Sequence, residues 1–304
     1  MVPIFLNINM TPIKQKKITS FDGTKITYYV IGKGKKPMVL CNGLGGNLAA
    51  WKLLYQKFTN DYRFITWDYR GLFKSDPPQN EQHLGILDHV KDLEIILSKE
   101  KVDHAVFAGW SMGVQICLEF YRDHSDLFEG MILINGTFGY PFHTVLNNPL
   151  LRYVLPRVNE IAKKVTPAVQ PTLKPLANKL INSNSLIQMI QKMGLAHENM
   201  NIEVFQEVAR DLISIDFNIY HQIMRHLSEH NAGDVLPIVR VPVLIITGEK
   251  DIITPRSTAE RMAHTISKSE LFILPYGSHY ALLEFPDIIN ARMGQFLREH
   301  YPSK

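Results

Sequence analysis

From residue 37 onward the chain alternates short, continuously apolar runs with longer amphipathic ones, and this alternation restricts the fold more than any other feature. PMVLCNG (37–43), RFITWDY (63–69), HAVFAGW (104–110) and GMILING (130–136) have the length and composition of buried strands. Between them, LAAWKLLYQKF (48–58), HLGILDHVKDLEIILSKE (83–100) and the stretch from Met112 to about Arg122 have helical patterning. In the second of these, Leu84, Ile86, Leu87, Val90, Leu93 and Leu97 form the apolar face. Strands separated by helices pair in parallel through crossovers, so the pattern demands an α/β fold: a mostly parallel sheet covered by helices on both faces. The chain opens differently. Asp22-Gly23, between the β-rich runs of ITSFDGTKITYYVIG, predicts an antiparallel hairpin.

The alternation breaks between about Phe138 and Leu236, where helical runs are punctuated by Pro141, Pro149, Pro156, Pro167, Pro171 and Pro175. It resumes with VPVLIITGEKD (241–251), a helix from about Pro255 to Ile266, the strand ELFILP (270–275) and a closing helix from Phe285 to about His300. The expected organisation is one α/β domain formed by residues 1–137 and 237–304, with an all-helical cap at 138–236. A chain of 304 residues can bury a core of that size. With 45% hydrophobic and 20% charged residues it has no composition for long disorder, and no apolar run approaches the ~20 residues that span a bilayer.

Several function classes fall away on composition. A net charge of +4 is too small and dispersed for nucleic-acid binding, and neither a zinc-type Cys/His spacing nor a Walker loop is present, so no cofactor or metal is expected. His221, His226 and His230 share a helical stretch, but no third ligand accompanies them, and they read as a solvated helix face. The apolar patch Val2 to Ile8 precedes Lys14, Lys16 and Lys17 rather than following them, which argues against a secretory signal. Cys41 and Cys117 sit in apolar company and read as buried reduced thiols, consistent with a cytoplasmic location.

The chemistry centres on AGWSMGV (108–114). Gly109-x-Ser111-x-Gly113 falls where a strand ends and a helix begins, a corner at which glycines let neighbouring backbone approach closely. Serine is a weak nucleophile at its own pKa; it needs a base, and the base needs a group that fixes its tautomer. In a parallel sheet the loops at the carboxyl ends of strands converge over one crevice. Asp251 closes one such strand and His279 follows another, whereas Asp61, Asp76, Asp103 and Asp216 close none.

The order Ser111, Asp251, His279 is joined by Asn42-Gly43-Leu44-Gly45-Gly46, Asp68-Tyr69-Arg70-Gly71, GEKDIITP and GSHYALLEFP. With these motifs the chain resembles the α/β-hydrolase superfamily from about Thr19 to Leu297. The resemblance implies an α/β-hydrolase fold with its cap between strands 6 and 7. It implies Ser111 as nucleophile, His279 as general base and then acid, and Asp251 as its orienting partner. The backbone N–H groups of Leu44 and Met112 would form the oxyanion hole. Three positions depart from the family pattern. Asn42 stands for the usual histidine, Val114 for a glycine, narrowing the room at the helix–strand contact, and Phe73 for a glycine, which is expected to bring a ring near the pocket mouth. Asp68 and Arg70 read as a structural turn bridge, and Trp110 equally as core or as acyl-side lining.

A serine at 111 separates the chain from the superfamily's epoxide hydrolases and haloalkane dehalogenases, which need aspartate there. The expected reaction is hydrolysis of a small carboxylic ester with an apolar acyl group, through an acyl-enzyme. A carbon–carbon bond hydrolase or a cofactor-free perhydrolase would use the same triad; the alternative of another class is a non-catalytic ligand receptor or lipid-binding protein on this fold. Arg152, Arg157, Lys163, Lys164, Lys174 and Lys179 face a lone Glu160 between residues 143 and 179. The plainer reading is a lid that packs its apolar residues on the domain and points lysines at water. The other is peripheral contact of this basic cap with an anionic membrane. No signal of oligomeric state is present.

Overall fold

A computed structural model describes residues 12–181, 183–192 and 196–301; the apolar patch Val2 to Ile8 lies outside them. The opening hairpin forms as expected. Strands β1 (Ile13–Thr19) and β2 (Lys25–Ile31) pair antiparallel around Gly23, which takes a φ of +87°, while Asp22 Oδ1 accepts the Thr24 N–H at 3.1 Å.

The alternating region follows as β3 (Lys36–Cys41), α1 (Lys52–Phe58), β4 (Tyr62–Trp67), α2 (Ile86–Lys99), β5 (Ala105–Trp110), α3 (Met112–His124) and β6 (Phe128–Ile134). Five helices then intervene among the described residues: α4 (Pro141–Thr144), α5 (Leu151–Ile181), α6 (Asn184–Lys192), α7 (Ile202–Ser214) and α8 (Phe217–Glu229). The chain returns through β7 (Val243–Gly248), α9 (Arg256–Thr265), β8 (Ser269–Leu274), α10 (Ala281–Glu284) and α11 (Pro286–His300). The eight strands form one sheet in the order β1-β2-β4-β3-β5-β6-β7-β8. It is antiparallel from β1 through β2 to β4 and parallel from β4 to β8.

Period-two alternation in the central strands feeds two cores. Phe107, Leu133 and Ile245 pack with Leu93 of α2 and Phe120 of α3, while Val106, Ile132 and Leu244 pack with Leu54 of α1 and Phe296 of α11. Cys41 and Cys117 are free and buried in the first of these cores. Burial beside Cys117 pushes the Cys41 thiol up, which disfavours the reactive thiolate.

Two details differ from the sequence reading. In α2, Leu87 is 54% exposed while Asp88, His89 and Asp92 are buried. Arg70 draws Asp92 inward: its guanidinium binds Asp92 at 2.6 and 2.9 Å and Asp22 at 2.9 Å, and neither the Arg70 nor the Asp92 side chain touches solvent, while Asp88 turns back to accept the Gly85 N–H at 3.1 Å. Arg70 is thus a structural bridge, and deleting one partner of so buried a pair costs about 3–5 kcal/mol. The second detail is α5, which runs 31 residues through Pro156, Pro167, Pro171 and Pro175 instead of breaking at them. Each proline removes one helical N–H bond, but all four are exposed, where water can take the carbonyls left over. Among the described residues no helix is long and apolar enough to cross a membrane.

Candidate active site

Ser111 occupies the single residue between β5 and α3, with φ 54° and ψ −115°, a strained conformation for a residue with a side chain. Its flanking glycines are required by space. A β-carbon at Gly113 would lie 2.0 Å from the Cys41 carbonyl oxygen, and one at Gly109 would lie 2.5 Å from the Gly113 carbonyl oxygen. The turn is held by Ser111 N–H donating to the Ile134 carbonyl at 3.0 Å.

The loops after β7 and β8 bring the two other sequence candidates to this corner. His279 Nε2 lies 2.9 Å from Ser111 Oγ, and His279 Nδ1 lies 2.9 Å from Asp251 Oδ2. Asp251 is enclosed by donors. Its Oδ1 accepts the N–H groups of Ile253 and Thr254, both at 2.9 Å; its Oδ2 accepts Thr254 Oγ1–H and Asn135 Nδ2–H, both at 2.7 Å. Burial pushes this carboxyl up, but the His279 charge and the bonds from His279, Asn135 and Thr254 outweigh it and hold the group below the usual carboxylate range. An ionised Asp251 fixes the imidazole proton on Nδ1, which leaves the Nε2 lone pair aimed at the Ser111 hydroxyl.

Asn135 and Thr254 are hydrogen-bond partners of Asp251 that the sequence alone did not assign. Asn135 follows β6 with a positive φ of 43°, so it stands at the carboxyl end of a central strand, where site residues were expected. It spans Asp251 and the Ser278 carbonyl, the latter at 3.0 Å.

Ser111 and His279 open into a cavity of about 200 Å³ that Leu44 and Met112 also line. Phe142, Val145 and Leu155 enter its wall from the cap's first part, and Tyr220, Met224 and Leu227 from α8. Trp110 serves as both core and lining. It is buried, donates its indole N–H to the His279 carbonyl at 3.2 Å and faces the cavity. The loop with Leu44 closes over it only because residue 46 is glycine, where a β-carbon would lie 2.8 Å from the indole ring.

A strained strand-to-helix corner at a serine, a hydrogen-bonded Ser–His–Asp chain and a helical cover stand on a mostly parallel sheet, and residues 36–286 match the family model for the alpha/beta hydrolase fold. The chain belongs to the alpha/beta hydrolase family. Its relatives at this distance carry diverse names. It is 24% identical over 290 residues to epoxide hydrolase 3 of Xenopus tropicalis, covering 92% of this chain and 76% of that protein. It is 22% identical to karrikin insensitive 2 receptor IA of Petunia hybrida, over 86% of this chain and 90% of that one. The solved esterase from Exiguobacterium antarcticum superposes with a TM-score of 0.74 at 20% identity, over 94% of this chain and all of that one. One fold hosts all three, so the reaction must be argued from the site.

The three positions at which this alpha/beta hydrolase departs from the family pattern each have a local account. Asn42 is fully buried and staples β3 to its neighbours: Nδ2 donates to the Trp67 carbonyl at 2.7 Å and Oδ1 accepts Trp51 Nε1–H at 2.7 Å. Val114 is accommodated by Gly136, where a β-carbon would lie 2.2 Å from Val114 Cγ2. Phe73 does not approach the mouth of the Ser111 cavity as expected. With φ 53° it lines a separate cavity beside Tyr29, Asp68 and Lys74. The three histidines of α8 and its end are also not a solvated face. All are half-buried; His221 bonds Asn159 and Thr166 of α5, and His230 bonds Gln115 and Glu119 of α3.

Asp68 accepts Tyr29 O–H at 2.9 Å and Lys74 N–H at 3.2 Å; burial nevertheless dominates and pushes its carboxyl up to about 6. The folded hydrolase therefore holds this proton more tightly than the unfolded chain. The resulting stability cost is absent below about pH 4, grows between about pH 4 and 6, and is complete above that. Asp68→Asn has no proton to lose, so relative to wild type it should gain on the order of 2–3 kcal/mol between pH 4 and pH 7. Urea unfolding of both proteins at the two pH values measures this; a difference that does not change with pH contradicts it.

Proposed function

We propose that the protein hydrolyses carboxylic esters of apolar acyl groups through a covalent acyl-enzyme on Ser111. The observation that carries this reading is the chain Ser111 Oγ, His279, Asp251 opening into a cavity with apolar walls. His279 Nε2 takes the hydroxyl proton as Ser111 Oγ attacks the ester carbonyl. The oxygen of the tetrahedral intermediate is met by the backbone N–H groups of Leu44 and Met112, the latter at the positive end of α3. His279 then protonates the departing alcohol, and water, activated by the same imidazole, releases the acid. The name of the Xenopus relative does not transfer: opening an epoxide through an alkyl-enzyme ester needs a carboxylate nucleophile, and residue 111 is serine. The intact hydrogen-bonded chain also favours turnover over a binding-only role.

The cavity sets the acyl preference. A void of ~150 Å³ already admits benzene, so about 200 Å³ suits an acyl group of about six carbons. Each methylene buried contributes up to ~0.8 kcal/mol, which raises kcat/KM by on the order of a hundredfold from acetate to hexanoate esters. A series of p-nitrophenyl esters should show that climb and then a plateau or decline. An enzyme fastest on acetate, or one that turns over none of the series, contradicts the proposal.

A further inference from the structure

Helix α5 has its amphipathicity reversed relative to the domain it covers. Polar side chains on its inner face bond the rest of the cap. Asn159 Nδ2–H donates to the His221 carbonyl at 3.0 Å, Gln170 Nε2–H to the Ile215 carbonyl at 2.8 Å, and Lys174 Nζ–H to the Ser214 carbonyl at 3.3 Å. Leu155 turns to the Ser111 cavity and Ile181 is buried, but six other apolar residues face out: Val154, Val158, Ile161, Val165, Leu173 and Leu176 are 49–62% exposed. Separations of three, four or eight place them on one strip, which the rise of the helix from Val154 to Leu176 extends over about 33 Å. Single exposed apolar side chains are ordinary, but a continuous strip of this length marks a contact surface. The plainer expectation, apolar residues on the domain and lysines in water, holds for Val208, Ile215, Ile223 and Leu227 of the cap, which join the domain cores, but not for the outer face of α5, whose apolar residues are in water too.

Charge identifies what covers the strip. Six basic residues and one acidic residue lie on α5, an excess of five that exceeds the net +4 of the whole chain. A second copy seated on the same face would set these like charges against each other. An anionic bilayer takes both features, accepting the apolar strip at the acyl boundary and the basic side chains at the phosphates. We propose that α5 is a docking element for anionic lipid surfaces, with the strip from Val154 to Leu176 immersed and the exposed Arg157, Lys164 and Lys179 on lipid headgroups. Leu155, on the same helix, lines the cavity of Ser111, so docking would place the cavity wall beside the lipid. That last step rests on the ester-hydrolase reading; the docking itself does not.

The test is co-sedimentation of the full chain with phosphatidylcholine vesicles, neutral or containing about one third phosphatidylglycerol. Binding to the anionic vesicles alone, released at about 0.5 M salt, is the expected result. The triple variant Val158→Asp, Ile161→Asp, Val165→Asp and the double variant Arg157→Glu, Lys164→Glu should each lose at least about tenfold in partitioning. Both should keep wild-type circular dichroism and ester turnover in vesicle-free buffer, and the double variant remains informative if the triple one misfolds. Ser111→Ala should bind vesicles as wild type does, which separates docking from catalysis. Absence of binding to anionic vesicles, binding unaffected by either variant, or a dimer that the triple variant dissociates would each overturn the proposal.

Discussion

Replacing Ser111 with alanine is expected to lower kcat for p-nitrophenyl butyrate by at least ~10⁴-fold while leaving the fold in place. The Ser111 side chain bonds His279 Nε2, and the backbone bond to Ile134 that shapes the corner does not involve the side chain. Alanine tolerates a φ of 54° about as well as serine does, so no additional strain enters. The thermal midpoint should therefore stay within a few degrees of wild type. Activity that survives should reflect only binding and the proposed oxyanion donors, the backbone N–H groups of Leu44 and Met112. A variant with one tenth of wild-type kcat and unchanged circular dichroism would remove Ser111 from the nucleophile role.

Asp251→Asn should cost about 10⁴-fold in kcat and, unlike the serine variant, also stability. All five bonds around Asp251 are donated to it, from two backbone N–H groups, Thr254, Asn135 and His279. An amide must turn its NH₂ toward one set of these donors. Facing Oδ1's partners, it strands two backbone N–H groups; facing Oδ2's, it meets the Asn135 amide and forces the His279 proton to the nitrogen that should face Ser111. Either arrangement leaves buried donors unpaired, a loss on the order of 1–3 kcal/mol. Denaturant melts paired with steady-state rates measure both effects. Near-wild-type kcat would place the orienting acid elsewhere, and an unchanged unfolding midpoint would contradict the donor arrangement.

What could be read in the sequence depended on whether a local pattern determined the outcome. The central strands β3, β5, β6 and β7 are largely apolar runs, and a parallel sheet is the arrangement that buries such runs on both faces, so the fold followed from their alternation with helices. Ser111, Asp251 and His279 were legible because each follows the carboxyl end of a strand, and a parallel sheet gathers its carboxyl ends. Asn135 was not: its role exists only because β6 and β7 pair, bringing it to a carboxylate 116 residues away. Leu87 was misassigned because helical periodicity cannot foresee that Arg70 draws Asp92 inward. The direction of Phe73 is set by a left-handed backbone that nothing in the loop's composition announces. In α5 the sequence shows two unlike faces, but amphipathicity does not say which face turns inward when the interior partners, His221 among them, are polar.

The central claim is that the hydroxyl of Ser111, activated by His279, attacks an acyl centre. Its most direct test is covalent capture: incubation with a fluorophosphonate probe, followed by intact-mass and peptide mass spectrometry. Phosphonylation needs an activated serine, since an ordinary serine hydroxyl does not react at an appreciable rate. One adduct per chain, on the peptide containing Ser111 and absent from both Ser111→Ala and heat-unfolded protein, is the predicted result. No adduct on folded wild-type protein, or an adduct that persists in Ser111→Ala, would contradict it.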